Sequence, residues 1–352
     1  MKNKLFSGYW GGCHCQGIAV DPVKKYIYYS FTTKLVKARL NGEIVGFVDG
    51  LVGHLGCIAF CEADGCVYGS LEYKNDAIGK GILNKLGEEK RFEDAFYVAR
   101  FDVSKISAPD MSAEDSGIMT ATYLREVTDD FNGIGADGKA HKHGCSGIDG
   151  LTLAPLPGSA EKDKLYLYVA YGVYDDIDRT DNDHQVILCY DIKTLDGLWA
   201  PLDQDNMHRT GAEKPLHKYF VYTGNTRYGV QNLEYDRHTD SMLMAVYKGK
   251  KPSFPNYSLF AVDMSVASKT ERLTGLDSEG EVLTLKRLGN YDEASEVYGW
   301  SFPYGSTGLY SYGDGNWLIA HPGTSEAGHH AYIYPYAWNG TEPFRITAAE
   351  IL

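Results

Sequence analysis

The chain has 352 residues and carries 47 Asp and Glu against 34 Lys and Arg, a formal charge of −13. That excess of negative charge excludes the basic surface on which nucleic-acid binding depends and works equally against an anionic membrane surface. With 43% hydrophobic and 23% charged residues and no low-complexity run, the composition is that of a folded chain rather than a disordered one.

No stretch reaches the apolar length that spans a bilayer, and MKNKLFSGYWGG lacks the apolar core of a signal peptide. The expectation is a soluble, cytoplasmic monomer, or a secreted or periplasmic one if a signal peptide has been removed. Seven cysteines, an odd number without small-scaffold spacing, point to reduced thiols. The 27 Tyr and 39 Gly favour many short strands joined by tight turns.

In chain order, a four-part pattern recurs five times. The first group reads HCQGIAVD (14–21), YIYYSF, KLVKARL and EIVGFVDG. Next come HLGCIAF (54–60), CVYGSLE, FYVARFD and TYLREVTDD. The third group is HGCSGIDGLTL (143–153), KLYLYVAYG, QVILCYDI and HKYFVYTG. YGVQNLEYD (228–236), SMLMAVYKG, YSLFAVDM and VLTLKRL form the fourth, and YGSTGLYSYG (304–313), NWLIAHPG, AYIYPYAW and PFRITAA the fifth.

Groups of four short strands without a long amphipathic helix predict an all-β fold, a β-propeller of four-stranded blades in one domain spanning 1–352. Seven blades would require strands within 103–117, 193–215 or 264–280. These stretches read as polar loops, which favours five. Ring closure could fall to KLFSGYW pairing with a terminal blade, or to packing of blades one and five face to face.

In a propeller, the loops that enter the inner strands converge at one end of the axis, together with the loops between second and third strands. Blade symmetry therefore gathers His14, His54, His143, Arg227, Tyr228 and Tyr304, along with polar loops from 72–81, 171–185, 247–257 and 321–330. In HCQG an extended strand turns Cys13 and Cys15 to one face and His14 to the other. The cysteines then read as core fillers and His14 as the axial residue.

Three chemistries fit this set. His14, His54 and His143 offer three imidazoles to a divalent cation. Paired carboxylates among Glu72, Asp149, Glu234, Asp175 and Asp176 would serve a glycoside hydrolase, although Asp149 and Glu234 read as lying within strands rather than at their mouths. The third chemistry is β-elimination of a uronic-acid glycoside, which needs neutralisation of the C5 carboxylate, a base for C5–H and an acid for the leaving oxygen. Arg227 suits the carboxylate, and His14, His54 or His143 with Tyr228 suit the proton transfers. This route needs no cofactor.

GHLGCIAF with VYGSLEYK, and the His/Tyr/Arg set at a propeller mouth, resemble propeller polysaccharide lyases of the ulvan lyase and rhamnose-glucuronate lyase type. The resemblance implies a carbon-oxygen lyase acting on an acidic polysaccharide. His14 and His54 would be catalytic or substrate-contacting, Tyr228 the Brønsted partner and Arg227 the carboxylate neutraliser. Gln16, Tyr73, Lys74, Tyr171, Tyr174, Gln231, Lys248 and Tyr304 are the expected substrate contacts, with Tyr257 and Trp300 as further aromatics for stacking on sugar faces. A non-enzymatic carbohydrate-binding propeller is the remaining alternative. Such modules tend to repeat one pocket per blade, whereas each blade here supplies a different residue.

Overall fold

The computed structural model describes residues 4–11, 14–135, 137–224, 227–348 and 351. Five sheets stand around one axis as blades of a propeller. Blade one consists of Cys15–Asp21, Tyr26–Phe31, Lys34–Arg39 and Ile44–Asp49 from the axis outward, and blade two of His54–Cys61, Cys66–Tyr73, Ala95–Phe101 and Met119–Tyr123. Blade three runs Cys145–Ala154, Tyr166–Val173, His184–Tyr190 and His217–Tyr222. Blade four has Arg227–Asp236, Ser241–Tyr247 and Leu259–Asp263, and blade five Leu309–Ser311, Asn316–Ser325 and Gly328–Trp338.

These strands are apolar on both faces because both are covered. Along Ser241–Tyr247, Met242, Met244 and Val246 face blade three, while Leu243 and Ala245 face blade five. Five apolar clusters result, one in each gap between neighbouring blades. Leu35, Leu55 and Tyr97 lie between blades one and two, Tyr68, Leu151 and Val169 between two and three, and Ile18, Tyr29 and Leu318 close the circle between five and one.

The segments that read as polar loops cap outer edges instead of adding blades. Met111–Ser112 pairs in parallel with the last strand of blade one. Lys269–Arg272 and Glu279–Val282 form a hairpin on the edge of blade three. Leu283 N–H still donates to the Phe220 carbonyl of blade three, and the chain then crosses to blade four, where 284–286 runs along Leu259–Asp263: Asp263 N–H donates to the Thr284 carbonyl, Lys286 N–H donates to the Ala261 carbonyl and Leu285 bridges Val262. Each device leaves less unpaired strand edge exposed.

Two short helices depart from the sequence expectation. TYLREVTDD is a strand only to Tyr123 and then turns into α2 (Arg125–Asn132), because Leu124, Val127 and Phe131 recur at helical spacing and bury together. α1 (Ala77–Leu86) replaces the loop expected after Tyr73. Asp76 caps it by accepting from Ile78 N and Gly79 N, and Gly87 ends it in the left-handed conformation.

KLFSGYW closes the ring as one of the two expected routes. Leu5 and Phe6 pair with Ile333 and Tyr332 on the outer edge of blade five, and Phe344–Ile346 pairs with the same strand farther along. No helix among the described residues is long and apolar enough to cross a membrane.

Candidate active site

The inner strands of blades one to four each carry a register shift near their first residues: at Cys15/Gly17, Leu55/Ile58, Cys145/Gly147, and from Arg227 to Asn232. A bulge breaks strict alternation and re-aims side chains, so residues on both sides of the sequence pattern reach the axis. They line a cavity of about 430 Å³ with His14, Gln16, His54, Asp149, Tyr228 and Gln231 from the inner strands and their approaches. Thr32, Glu72, Lys74 and Tyr247 come from the ends of second strands, and α1 supplies one wall through Ile78, Ile82 and Lys85.

His54 is the hub. Its Nδ1 lies 3.5 Å from Glu72 Oε1 and 3.5 Å from Asp149 Oδ1. Glu72 is fixed by Lys74 Nζ at 2.6 Å and by the Ile148 amide, which donates to Oε2 at 2.9 Å. Lys74 also donates to the Ser146 carbonyl at 2.7 Å. Asp149 Oδ2 accepts from Gln231 Nε2 at 3.0 Å, and the same amide nitrogen donates to the Tyr228 carbonyl at 2.9 Å. Backbone space is equally restricted. A Cβ on Gly147 would come within 2.0 Å of Glu72 Oε2, and Gly147 has φ +118°.

Burial opposes charge on His54, but Asp149 and Glu72 outweigh it and raise the imidazole above its ordinary value. Burial likewise pushes Asp149 up to about 6 against the pull of His54, with Glu72 adding to the rise. Glu72 itself would be raised by burial, yet Lys74 and His54 hold it below the usual carboxylate range. Opposite them, His14 and Tyr247 are uncharged at neutral pH. Burial, reinforced by His54, His329 and Lys85, lowers His14 to about 4, and burial raises Tyr247 to about 12. Tyr247 Oη and His14 Nε2 are 3.5 Å apart.

The structure brings together six of the thirteen expected site residues in this cavity: His14, His54, Tyr228, Gln16, Lys74 and Gln231. Lys248 lines an adjoining lobe of about 700 Å³, which shares His14, Tyr247 and His329 with the first. Arg227 stands outside both lobes, 5.2 Å over the Tyr228 ring, with Nε 3.5 Å from Asp175. The other five also lie elsewhere. His143 sits in a tight turn edge-on to Phe220 at 5.3 Å, and burial lowers it to about 4. Tyr171 Oη donates to Asp130 at 3.0 Å, Tyr73 Oη to Gln204 at 3.0 Å and Tyr174 Oη to Asp76 at 3.0 Å. Tyr304 stacks on His321 at 3.5 Å.

The expected three-imidazole ion site is therefore not assembled, because His143 belongs to blade three's packing. Among the described residues, no group of three or more His, Cys, Asp or Glu is placed to hold a metal ion. The stacking aromatics are also corrected: Tyr257 is buried and Trp300 donates its indole N–H to the Thr341 carbonyl at 3.0 Å. Of the acidic candidates, Glu72 and Asp149 do face the cavity. Asp149 reaches it because the bulge turns it inward. Glu234 faces blade five, where Ser311 N donates to it at 2.9 Å. Cys15 is buried, and Cys13 lies outside the described residues.

His329, Tyr247, Thr32 and Lys85 were not singled out from sequence. Strand pairing carries the missing signal for Tyr247, since His54 pairs with Glu72 and Arg227 with Tyr247. The tail of each second strand therefore lies beside the head of the inner strand.

No family model matches the chain, and no curated relative does. Among solved structures it is similar to the holo PQQ domain of pyranose dehydrogenase from Coprinopsis cinerea at 12% identity, with TM-score 0.39, covering 90% of this chain and 80% of that one. A GH43 β-1,3-galactosidase with galactodeoxynojirimycin is matched at 11% identity and TM-score 0.45 over 98% of each chain. A calcium structure of a family AA12 carbohydrate-active enzyme from Trichoderma reesei is matched at 9% identity and TM-score 0.39, over 90% of this chain and 79% of that one. None of these likenesses bears on the chemistry of the cavity, which rests on this chain's own residues.

Proposed function

We propose that the axial cavity cleaves an acidic glycan by β-elimination. The observation that carries this reading is the pair His14 and Tyr247, 3.5 Å apart, with His14 lowered to about 4 and so neutral at pH 7. His14 takes the C5 proton. As the C4–O bond breaks and the C4=C5 bond forms, Tyr247 gives its proton to the leaving oxygen, and His14 then returns a proton to Tyr247. His54, which burial opposes but Asp149 and Glu72 hold protonated to higher pH, faces the uronate carboxylate and stabilises the charge that develops beside it. Tyr228, edge-on to Tyr247 at 5.9 Å, and Gln16 and Gln231 orient the sugar.

A hydrolytic reading has one observation in its favour, the Asp149 carboxyl, which burial raises to about 6, a value suited to a general acid. Against it, Glu72 and Asp149 share one imidazole instead of flanking a bond.

The deciding experiment incubates the protein with uronic-acid oligosaccharides and follows ultraviolet absorbance of the unsaturated product. Reducing ends released without that chromophore would sink elimination and leave hydrolysis.

A further inference from the structure

His329 stands at the neck between the two lobes of the axial cleft, since it lines both, together with His14 and Tyr247. Its Nδ1 lies 3.1 Å from Thr324 Oγ1, so Nε2 is the ring nitrogen left for the cleft. What holds its backbone is the segment Leu5–Trp10. Trp10 N donates to the His329 carbonyl at 2.8 Å, and His329 N donates to the Trp10 carbonyl at 2.9 Å. Gly328 lets the two backbones meet, because a Cβ there would come within 2.8 Å of the Trp10 carbonyl oxygen, at φ +124°.

Trp10 is fixed on its other side by blade one. Its ring packs against Phe47 at 4.9 Å and Phe31 at 5.9 Å, and its indole N–H donates to the Ser7 carbonyl at 2.8 Å. Four positions later the chain reaches His14. The strap that pairs with Ile333 and Tyr332 to close the ring is thus bonded at Trp10 to the backbone of one imidazole of the cleft and lies four positions before another in sequence.

We propose that the Leu5–Trp10 strap is a positioning element of the axial site, which sets the His329 imidazole at the neck against a bound ligand, so that closing the ring and completing the ligand site are one event. The proposal rests on the axial cleft being the functional site. It does not depend on which bond is cleaved there.

The test is ligand-free. The histidine rings of the full-length, 15N-labelled protein are titrated by NMR in the wild type, His329→Ala and Gly328→Ala, with thermal melts alongside. His14 faces His54, His329, Lys85 and Tyr247. Removing or displacing His329 relieves repulsion and admits water, so both variants should move the His14 midpoint upward by roughly half a pH unit or more. A shift in His329→Ala alone would overturn the strap's role, and no shift in either would overturn the whole proposal. If Gly328→Ala does not fold, Phe6→Ala, which removes a ring 5.3 Å from Tyr332, loosens the strap more gently. It must then shift His14 in the same direction, and an unchanged His14 there counts against the proposal. Absence of unsaturated product in the wild type would defeat elimination yet leave these titrations to be read independently.

Discussion

His54 Nδ1 and Asp149 Oδ1 face each other across 3.5 Å at the meeting of blades two and three. Burial disfavours charge on both groups, so each depends on the other for whatever charge it keeps. The imidazolium that the proposed chemistry needs on His54 is thus favoured by the neighbouring Asp149 carboxylate.

Asp149→Asn should therefore act through His54. Burial opposes the imidazolium and Asp149 is its largest support, so the His54 midpoint falls. A raised folded-state value stabilises the protein below the unfolded value and is lost as pH rises through the folded one. The variant should lose that acid-side stabilisation and bind uronate oligosaccharides at least roughly tenfold more weakly at pH 7. NMR titration and calorimetry check the two effects. An unmoved His54 midpoint would separate the pair.

Tyr247→Phe keeps the ring and removes the hydroxyl 3.5 Å from His14. Elimination should slow by about 10²-fold or more while oligosaccharide affinity changes little. A variant of undiminished rate would reassign the acid to Tyr228.

Gly147→Ala would drive a Cβ into Glu72 Oε2 at a positive φ. We expect a loss of about 2–4 kcal/mol in urea unfolding, together with a lower His54 midpoint as Glu72 is displaced.

Glu234, half-buried between blades four and five, is raised by desolvation to about 8. Its unfolded value is lower, so the folded state holds more protons between the two values and stability falls as pH rises through that window. Glu234→Gln should match the wild type near pH 4, below the unfolded carboxylate value, and exceed it by about 1 kcal/mol or more at pH 9, read from denaturant midpoints. Equal stability at pH 9 would show that the carboxyl ionises without cost.

His184 reports the opposite sign. Burial lowers it to about 4, and its Nδ1 has no hydrogen-bond partner among the described residues. The unfolded chain binds the proton first, so stability drains as pH falls from 6.5 towards 4. His184→Gln should remove about 2 kcal/mol of that acid loss, unless the new amide is left unpaired, which a lower stability at pH 7 would reveal.

The propeller and its five blades were legible because both faces of every blade are buried, so VYGSLE, LYLYVAYG and SMLMAVY read as continuous apolar strands. The heads of blades one and two were legible for a similar reason: the repeat aligned His14 with His54. The same alignment failed at His143, where a turn with φ 56° directs the imidazole into packing, and at Arg227, which Asp175 draws aside. Asp149 read as a strand residue because period-two alternation carries no sign of a bulge. His329 reaches the cleft through a hairpin held by residues more than 300 positions away, a distance that no local pattern spans.

That distance also bears on how the chain comes into being. The partner of Leu5, Ile333, lies more than 300 residues later in the chain and is made roughly half a minute after it at ~10 residues per second. Contacts of such separation are the slowest to form. Until Ile333 arrives, the strap has no strand to join, and once made, Gly328–Trp338 presents an open edge until the strap docks. Newly made protein should thus be most prone to misassembly at blade five, in the interval between synthesis and closure.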